Sequence, residues 1–260
     1  MNRLTAALLA LFLLTVIAIV AVGTDTPQTT LTANASTVLW AGLAAFLALR
    51  NYRMGEKSAR NTLWLLISLG MLCWFIGEVG WAVYEIGLDV EVPYPSIPDV
   101  FWALGYLPLI GALVALMAEY GKAVKEKFYK YFGVIAIVAA LIVGPMLVLP
   151  MLAGESSIAA LAISIFYVLA DIVLLALSIG ISTLMGEVFS YDLLSRSWRW
   201  FAGGIFALAL FDLSFSWVEM KDLYFTPQGN FFTGPLLLIV YITAYFALAM
   251  AFAMHKEAVQ

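Results

Sequence analysis

Four carboxylates lie inside otherwise apolar stretches of this chain: Glu78, Glu85, Asp212 and Glu219. They form two pairs, each seven residues apart, in two segments that read as copies of one another. A carboxylate in a lipid-spanning helix is costly, so it faces a protein interior or a water-filled cavity. At 3.6 residues per turn, positions i, i+4, i+7 and i+11 share a helix face. Trp74, Glu78, Trp81 and Glu85 fit that spacing, and Asp212, Phe215, Ser216 and Glu219 make the matching stripe. Asp171 stands near the middle of another apolar run, with Ser164, Tyr167 and Ser178 along its face, while Asp99, Trp102 and Tyr106 line the start of a further one. The chemistry expected is an acidic, aromatic pocket. Its carboxylates attract a cation, and Trp and Tyr faces hold it by cation–π contact. Protonated, the same carboxyls suit a proton-coupled step or a hydrogen-bonded neutral ligand. The candidate ligand-binding set is Glu78, Trp81, Glu85, Asp99, Tyr106, Tyr167, Asp171, Asp212 and Glu219. Two plainer readings compete. Glu85 and Glu219 also fit a solvated headgroup zone, which begins about 15 Å from the bilayer midplane. Glu78, Asp171 and Asp212 also fit hydrogen bonds that merely hold helices together.

Such residues need a membrane-embedded scaffold, and composition supplies one. The 260 residues are 64% hydrophobic and 12% charged, with a mean hydropathy of +0.99. Soluble domains carry about 45–50% apolar and about 25% charged residues, so the excess apolar surface must face lipid. Membrane lipids are therefore the first expected partner. The net charge of −4 and the absence of a cationic stripe argue against nucleic acid. Cys73 is the only cysteine and His255 the only histidine, which excludes an intrachain disulfide and a bis-His haem. No metal site, cofactor or catalytic residue is expected. No HExxH, Ser–His pairing, phosphate-cradling Gly-rich loop or Cys nucleophile context occurs, so an enzyme is not expected.

About 20 apolar residues cross a bilayer as a helix. Eight such segments are predicted: 4–22, 36–52, 61–86, 98–119, 131–153, 157–185, 199–220 and 234–254. The fold class expected is all-α integral membrane, a single polytopic domain over 1–260. Connecting segments alternate in charge. Arg3, then Arg50, Arg53, Lys57 and Arg60, then Lys122, Lys125, Lys127 and Lys130, then Arg196 and Arg199, then Lys256 fall on one side. Asp25, Asp89, Glu91 and Glu155 fall on the other, with Lys221 as its single cation. Positive loops stay cytoplasmic, so a multi-pass cell-membrane protein with both termini inside is predicted. Residues 1–23 read as an N-terminal anchor helix. Arg3 and Ala21-Val22-Gly23 also fit a cleaved signal peptide, but the apolar core is longer than a usual h-region.

An internal repeat organises the rest. Met54-Gly55-Glu56 recurs as Met185-Gly186-Glu187. At one common offset, Trp64 pairs with Trp198, Gly70 with Gly204, Glu78 with Asp212, Trp81 with Phe215 and Glu85 with Glu219. This predicts a first three-helix repeat over 36–119, a connector helix over 131–153 and a second repeat over 157–254. The two repeats would be parallel, related by an axis along the membrane normal. The competing reading is chance identity between hydrophobic helices. The resulting 3+1+3 seven-helix bundle resembles the superfamily that joins SWEET and PQ-loop transporters to seven-helix receptors. No Pro-Gln pair stands where a PQ-loop protein needs it, and the last span lacks a retinal-binding lysine.

The most specific local string is Val92-Pro93-Tyr94-Pro95-Ser96-Ile97-Pro98-Asp99. Ser96 can cap a helix, Pro98 suits its first turn, and Asp99 favours its positive end. Pro93 and Pro95 also stiffen a lid over the proposed chamber. Gly77-Glu78, Trp81, Tyr84-Glu85, Pro93-Tyr94-Pro95-Ser96, Asp99, Tyr106 and Pro108 together resemble the integral-membrane input regions that precede diguanylate-cyclase and histidine-kinase domains in bacterial signalling proteins. The likeness covers the third and fourth spans, and departs from the pattern at Pro98 and Leu107. It implies a sensory membrane domain and supplies no ligand-contacting residues. The function expected is a sensor or receptor-like module. It binds a small molecule in a chamber open to the extracytoplasmic side and signals to a separate cytoplasmic or membrane partner. The alternative is a secondary transporter of a small cation or a proton-coupled solute.

Overall fold

The computed structural model describes residues 3–23, 27–54, 59–120, 122–143, 145, 157–188, 192–226 and 228–258. Among them every regular element is helical. The helices are α1 (Arg3–Val22), α2 (Pro27–Met54), α3 (Ala59–Ala82), α4 (Ile97–Tyr120), α5 (Lys122–Val143), α6 (Ile158–Val188), α7 (Leu193–Glu219) and α8 (Pro235–Ala258). Seven of these, all but α5, are long and apolar enough to cross a membrane. In the connector expected at 131–153, residues 144 and 146–153 lie outside the described ones. Lys122, Lys125, Lys127 and Lys130, expected in a loop, lie within α5.

Several helices outrun their apolar cores, because polar flanks satisfy themselves in helical form. In α2, the Ser36 hydroxyl donates to the Thr32 carbonyl at 2.6 Å and Thr37 to that of Asn34 at 3.1 Å. Such back-bonding lets a polar segment stay helical in a dry setting. The α2 start therefore falls at Pro27 rather than at 36. At the end of α3 the geometry changes. Val83–Gly87 forms one π-helical turn, closed by the Leu88 amide donating to the Val83 carbonyl at 2.9 Å.

Six helices close into a ring. α2 packs on α3, α3 on α4, α4 on α6, α6 on α7, α7 on α8, and α8 returns to α2. α1 lies outside on α8 and α2, and α5 lies outside on α6. α1 is fitted to these neighbours rather than loosely attached. Phe12 stacks on Phe246 with ring centres 4.3 Å apart, and the Trp40 indole donates to the Thr15 hydroxyl at 3.3 Å.

Glycines set the closest helix approaches. A Cβ on Gly70 would lie 2.5 Å from Leu109 Cγ and 2.8 Å from the Gly105 carbonyl oxygen. A Cβ on Gly204 would lie 2.9 Å from both the Ala244 carbonyl oxygen and Leu248 Cγ. Thus α3 meets α4, and α7 meets α8, at backbone-to-backbone distance, as small residues allow in apolar surroundings. Trp198 is buried against Phe201, with ring centres 5.6 Å apart.

Candidate functional site

The ring interior holds the polar residues that the helix periodicity points inward. Glu78 on α3 is 3% exposed, and its Oε1 collects three donors. The Trp102 indole donates at 3.1 Å, the Tyr245 hydroxyl at 2.8 Å, and the Tyr241 hydroxyl also donates. Gly77 makes room for this arrangement, since a Cβ there would lie 2.5 Å from Trp102 Nε1. Stacking of Tyr241 on Phe211, at 4.0 Å between ring centres, fixes the phenol from the α7 side.

A second cluster adjoins the first. The Tyr106 hydroxyl on α4 donates to Asp171 Oδ1 on α6 at 2.6 Å, and its oxygen lies 3.2 Å from Asp212 Oδ2 on α7. The two aspartates thus share one phenol oxygen. Trp74 separates the clusters, with its ring 5.2 Å from that of Tyr106 and 6.4 Å from that of Tyr245. A third group lies one step toward the 88–96 loop. The Tyr167 hydroxyl donates to the Asp99 carbonyl oxygen at 3.1 Å and lies 3.2 Å from its Oδ1. Asp99 Oδ2 accepts from the Ser96 amide at 2.6 Å and from its hydroxyl at 2.5 Å. This is the reciprocal half of a capping box. Asp99 therefore serves the α4 start and the tyrosine together. The loop itself is tied to α6 by Tyr94 Oη and Ser164 Oγ, 2.6 Å apart.

No basic residue offsets these acids along the ring. Lys, Arg and His are absent from 27–49, 61–121, 158–188, 200–220 and 222–254. Among the described residues, Glu78, Asp171 and Asp212 are met by hydroxyl and indole donors, and Asp99 by the Ser96 amide as well as by hydroxyls.

Glu78, Asp99, Tyr106, Tyr167, Asp171 and Asp212 are thus brought together in one interior. Trp81, Glu85 and Glu219 stand apart from it, nearer the 88–96 and 220–234 loops. Trp81 packs beside Trp102 and Phe215, at 5.7 and 6.5 Å between ring centres. Glu85 leaves the expected stripe, because the π turn carries an extra residue per turn and rotates it toward α2. There the Asn34 side-chain amide donates to Glu85 Oε2 at 2.6 Å. Glu219 is exposed at the end of α7, and Ser216 is exposed with its hydroxyl spent on the Asp212 carbonyl at 2.7 Å. Outside the helices, half-buried Tyr224 sits among these acids. Burial first, then the nearby Glu85 and Glu219 charges, push its phenol well above the ordinary range.

Tyr241 and Tyr245 escaped the sequence reading. Their signal was present: two phenols four residues apart share one face of an otherwise apolar helix. Asn34 carried no such signal, since its role depends on the π turn opposite. Comparison with family models, curated proteins and solved structures finds no match for this chain.

Proposed function

We propose that this chain is a multi-pass membrane receptor-like module, with the ring interior as its ligand-responsive centre. One observation carries the reading. Buried carboxyls from α3 and α6 and a half-buried one from α7 converge with tyrosines from α4 and α8, and these stretches of the helices carry no basic residue. A cationic or hydrogen-bonding ligand that displaces a tyrosine from a carboxyl changes the packing of several helices at once. A ligand shifts a protein only by binding two arrangements unequally. Here the difference lies in which group fills the carboxyl oxygens.

The charge pattern supports an orientation with the arginine- and lysine-bearing ends cytoplasmic. The 88–96 loop and its Tyr94 strap then face outward, and the signal leaves through the cytoplasmic ends to a separate partner. Duplication of a three-helix unit gains support from the glycine contacts. Gly70 meets Gly105 and Leu109, and Gly204 meets Ala244 and Leu248, each time on residues four apart on the facing helix. The second reading is a secondary transporter, favoured by the matched placement of Glu78 and Asp212 in the two three-helix groups.

The test uses the full chain in lipid nanodiscs, titrated with a panel of primary and quaternary amines while Trp fluorescence is read. Saturable responses that weaken in both Glu78→Gln and Asp212→Asn support the centre; identical curves in both variants sink it. Amine flux in proteoliposomes that disappears in Asp212→Asn selects the transporter.

A further inference from the structure

We propose that the centre formed by Asp171, Tyr106 and Asp212 binds one exchangeable proton, reached from the 88–96 end along a polar ladder between α4 and α6. This deepens the receptor reading by naming a ligand of the same site, and it rests on the membrane setting of that reading.

The Tyr106 hydroxyl has one hydrogen and lies within reach of both carboxyls, at 2.6 Å from Asp171 and 3.2 Å from Asp212. That hydrogen serves one acceptor at a time. That one oxygen brings the two carboxyls face to face across it. Two carboxylates facing in that way repel unless a proton lies between them, which is how paired acids come to share one. Among the described residues, no Lys, Arg or His side chain bonds to either of them. The groups around the pair are Tyr106 and Asp99 from α4, Tyr167 from α6, Glu78 from α3 and, across Trp74, Tyr245 from α8. Every one is neutral or acidic.

The ladder is the second observation. Ser164, Tyr167 and Asp171 follow one face of α6, and Asp99 and Tyr106 are seven apart on α4. Their rungs are Tyr94 with Ser164, Tyr167 with Asp99, and Tyr106 with Asp171. The Tyr167 and Tyr106 ring centres are 6.1 Å apart. Polar pairs thus recur at each step from the 88–96 loop to Asp171. Uptake forms one O–H bond on the pair and takes its charge from −2 to −1, with no oxidant or reductant involved.

Infrared difference spectroscopy of the full chain in lipid tests this, reading the carboxylic C=O stretch across a pH titration. The expected result is a C=O band in the unmodified protein that shifts in D2O and changes amplitude with pH. It should vanish in Asp171→Asn and in Asp212→Asn. Tyr106→Phe keeps both carboxyls and the ring volume, so its band should remain but move in frequency and midpoint. The absence of any such band across the pH range overturns the proposal, whatever the variants do. A band unmoved by Tyr106→Phe, or one retained in Asp212→Asn, overturns it as well. A titrating band alongside no amine response would refute the amine receptor and leave the proton site standing. An amine response with no titrating band would do the opposite.

Discussion

The interior acids are organised by phenols, and single hydroxyls are where the arrangement is most open to test. Tyr245→Phe removes one donor from Glu78 Oε1 while keeping the ring that packs on Trp74. Hydrogen bonds between helices in apolar surroundings are worth about 0.6–2 kcal/mol. We therefore expect a stability loss of about that size in detergent unfolding, and a larger loss for Glu78→Ala, which strands three donors. Tyr224 gives a pH prediction from outside the spans. Its phenol ionises well above the usual value near 10 in the folded chain and near 10 when unfolded. Its neutral form is favoured by folding, so the contribution is complete below about pH 10 and falls as pH rises past it. Alkaline unfolding should show this loss, and Tyr224→Phe should blunt it. Helix periodicity alone was enough to place Glu78, Asp171 and Asp212 inward. It could not say which donors they meet, because partners such as Tyr245 come from a helix more than 150 residues away in sequence, at a separation of 167.

Among the helices, α3 and α4 show how local chemistry sets packing. Gly70 and Gly105 admit the facing backbone, and a Cβ at Gly105 would collide with the Trp74 ring. Gly105→Val should cost about 1–3 kcal/mol from overpacking. Gly111 has open space where its Cβ would go. Gly111→Ala should therefore be neutral or stabilise by up to about 1 kcal/mol, since Ala favours helix over Gly. Thermal unfolding of the two variants side by side checks both signs. Most helices were readable from hydropathy. The π turn at Val83–Gly87 was not, because no composition signal marks a change from i+4 to i+5 bonding. That one turn moved Glu85 out of the predicted stripe and onto Asn34. The polar start of α2 was missed for a related reason: its Ser and Thr side chains satisfy themselves on their own backbone.

For the molecule as a whole, hydropathy and charge specify a polytopic bundle, while the order of helices around the ring comes only from three dimensions. The closure of α8 on α2 is an example. Asn51 donates to the Phe252 carbonyl at 2.9 Å, joining residues from opposite ends of the chain. Orientation is open to a direct test. With Cys73 replaced by Ser, single cysteines at Glu91 and Arg199 report the two ends. An impermeant maleimide on intact cells should label Glu91→Cys at once and Arg199→Cys only after permeabilisation. The reverse pattern would invert the proposed topology and close the chamber to the outside.

The glycine contacts carry a mechanical consequence. Where backbones touch, many weak dispersion contacts act together and resist sliding. The α3–α4 and α7–α8 pairs are therefore stiff, and each behaves as one plank. Between α4 and α6 the ring is joined instead by tyrosine-to-carboxyl bonds, which can be exchanged for others without opening a void. Any breathing of the bundle will concentrate along that joint, where a change of partner for Tyr106 or Tyr167 costs least. The residues proposed to meet a ligand and the line along which the bundle would part are then the same.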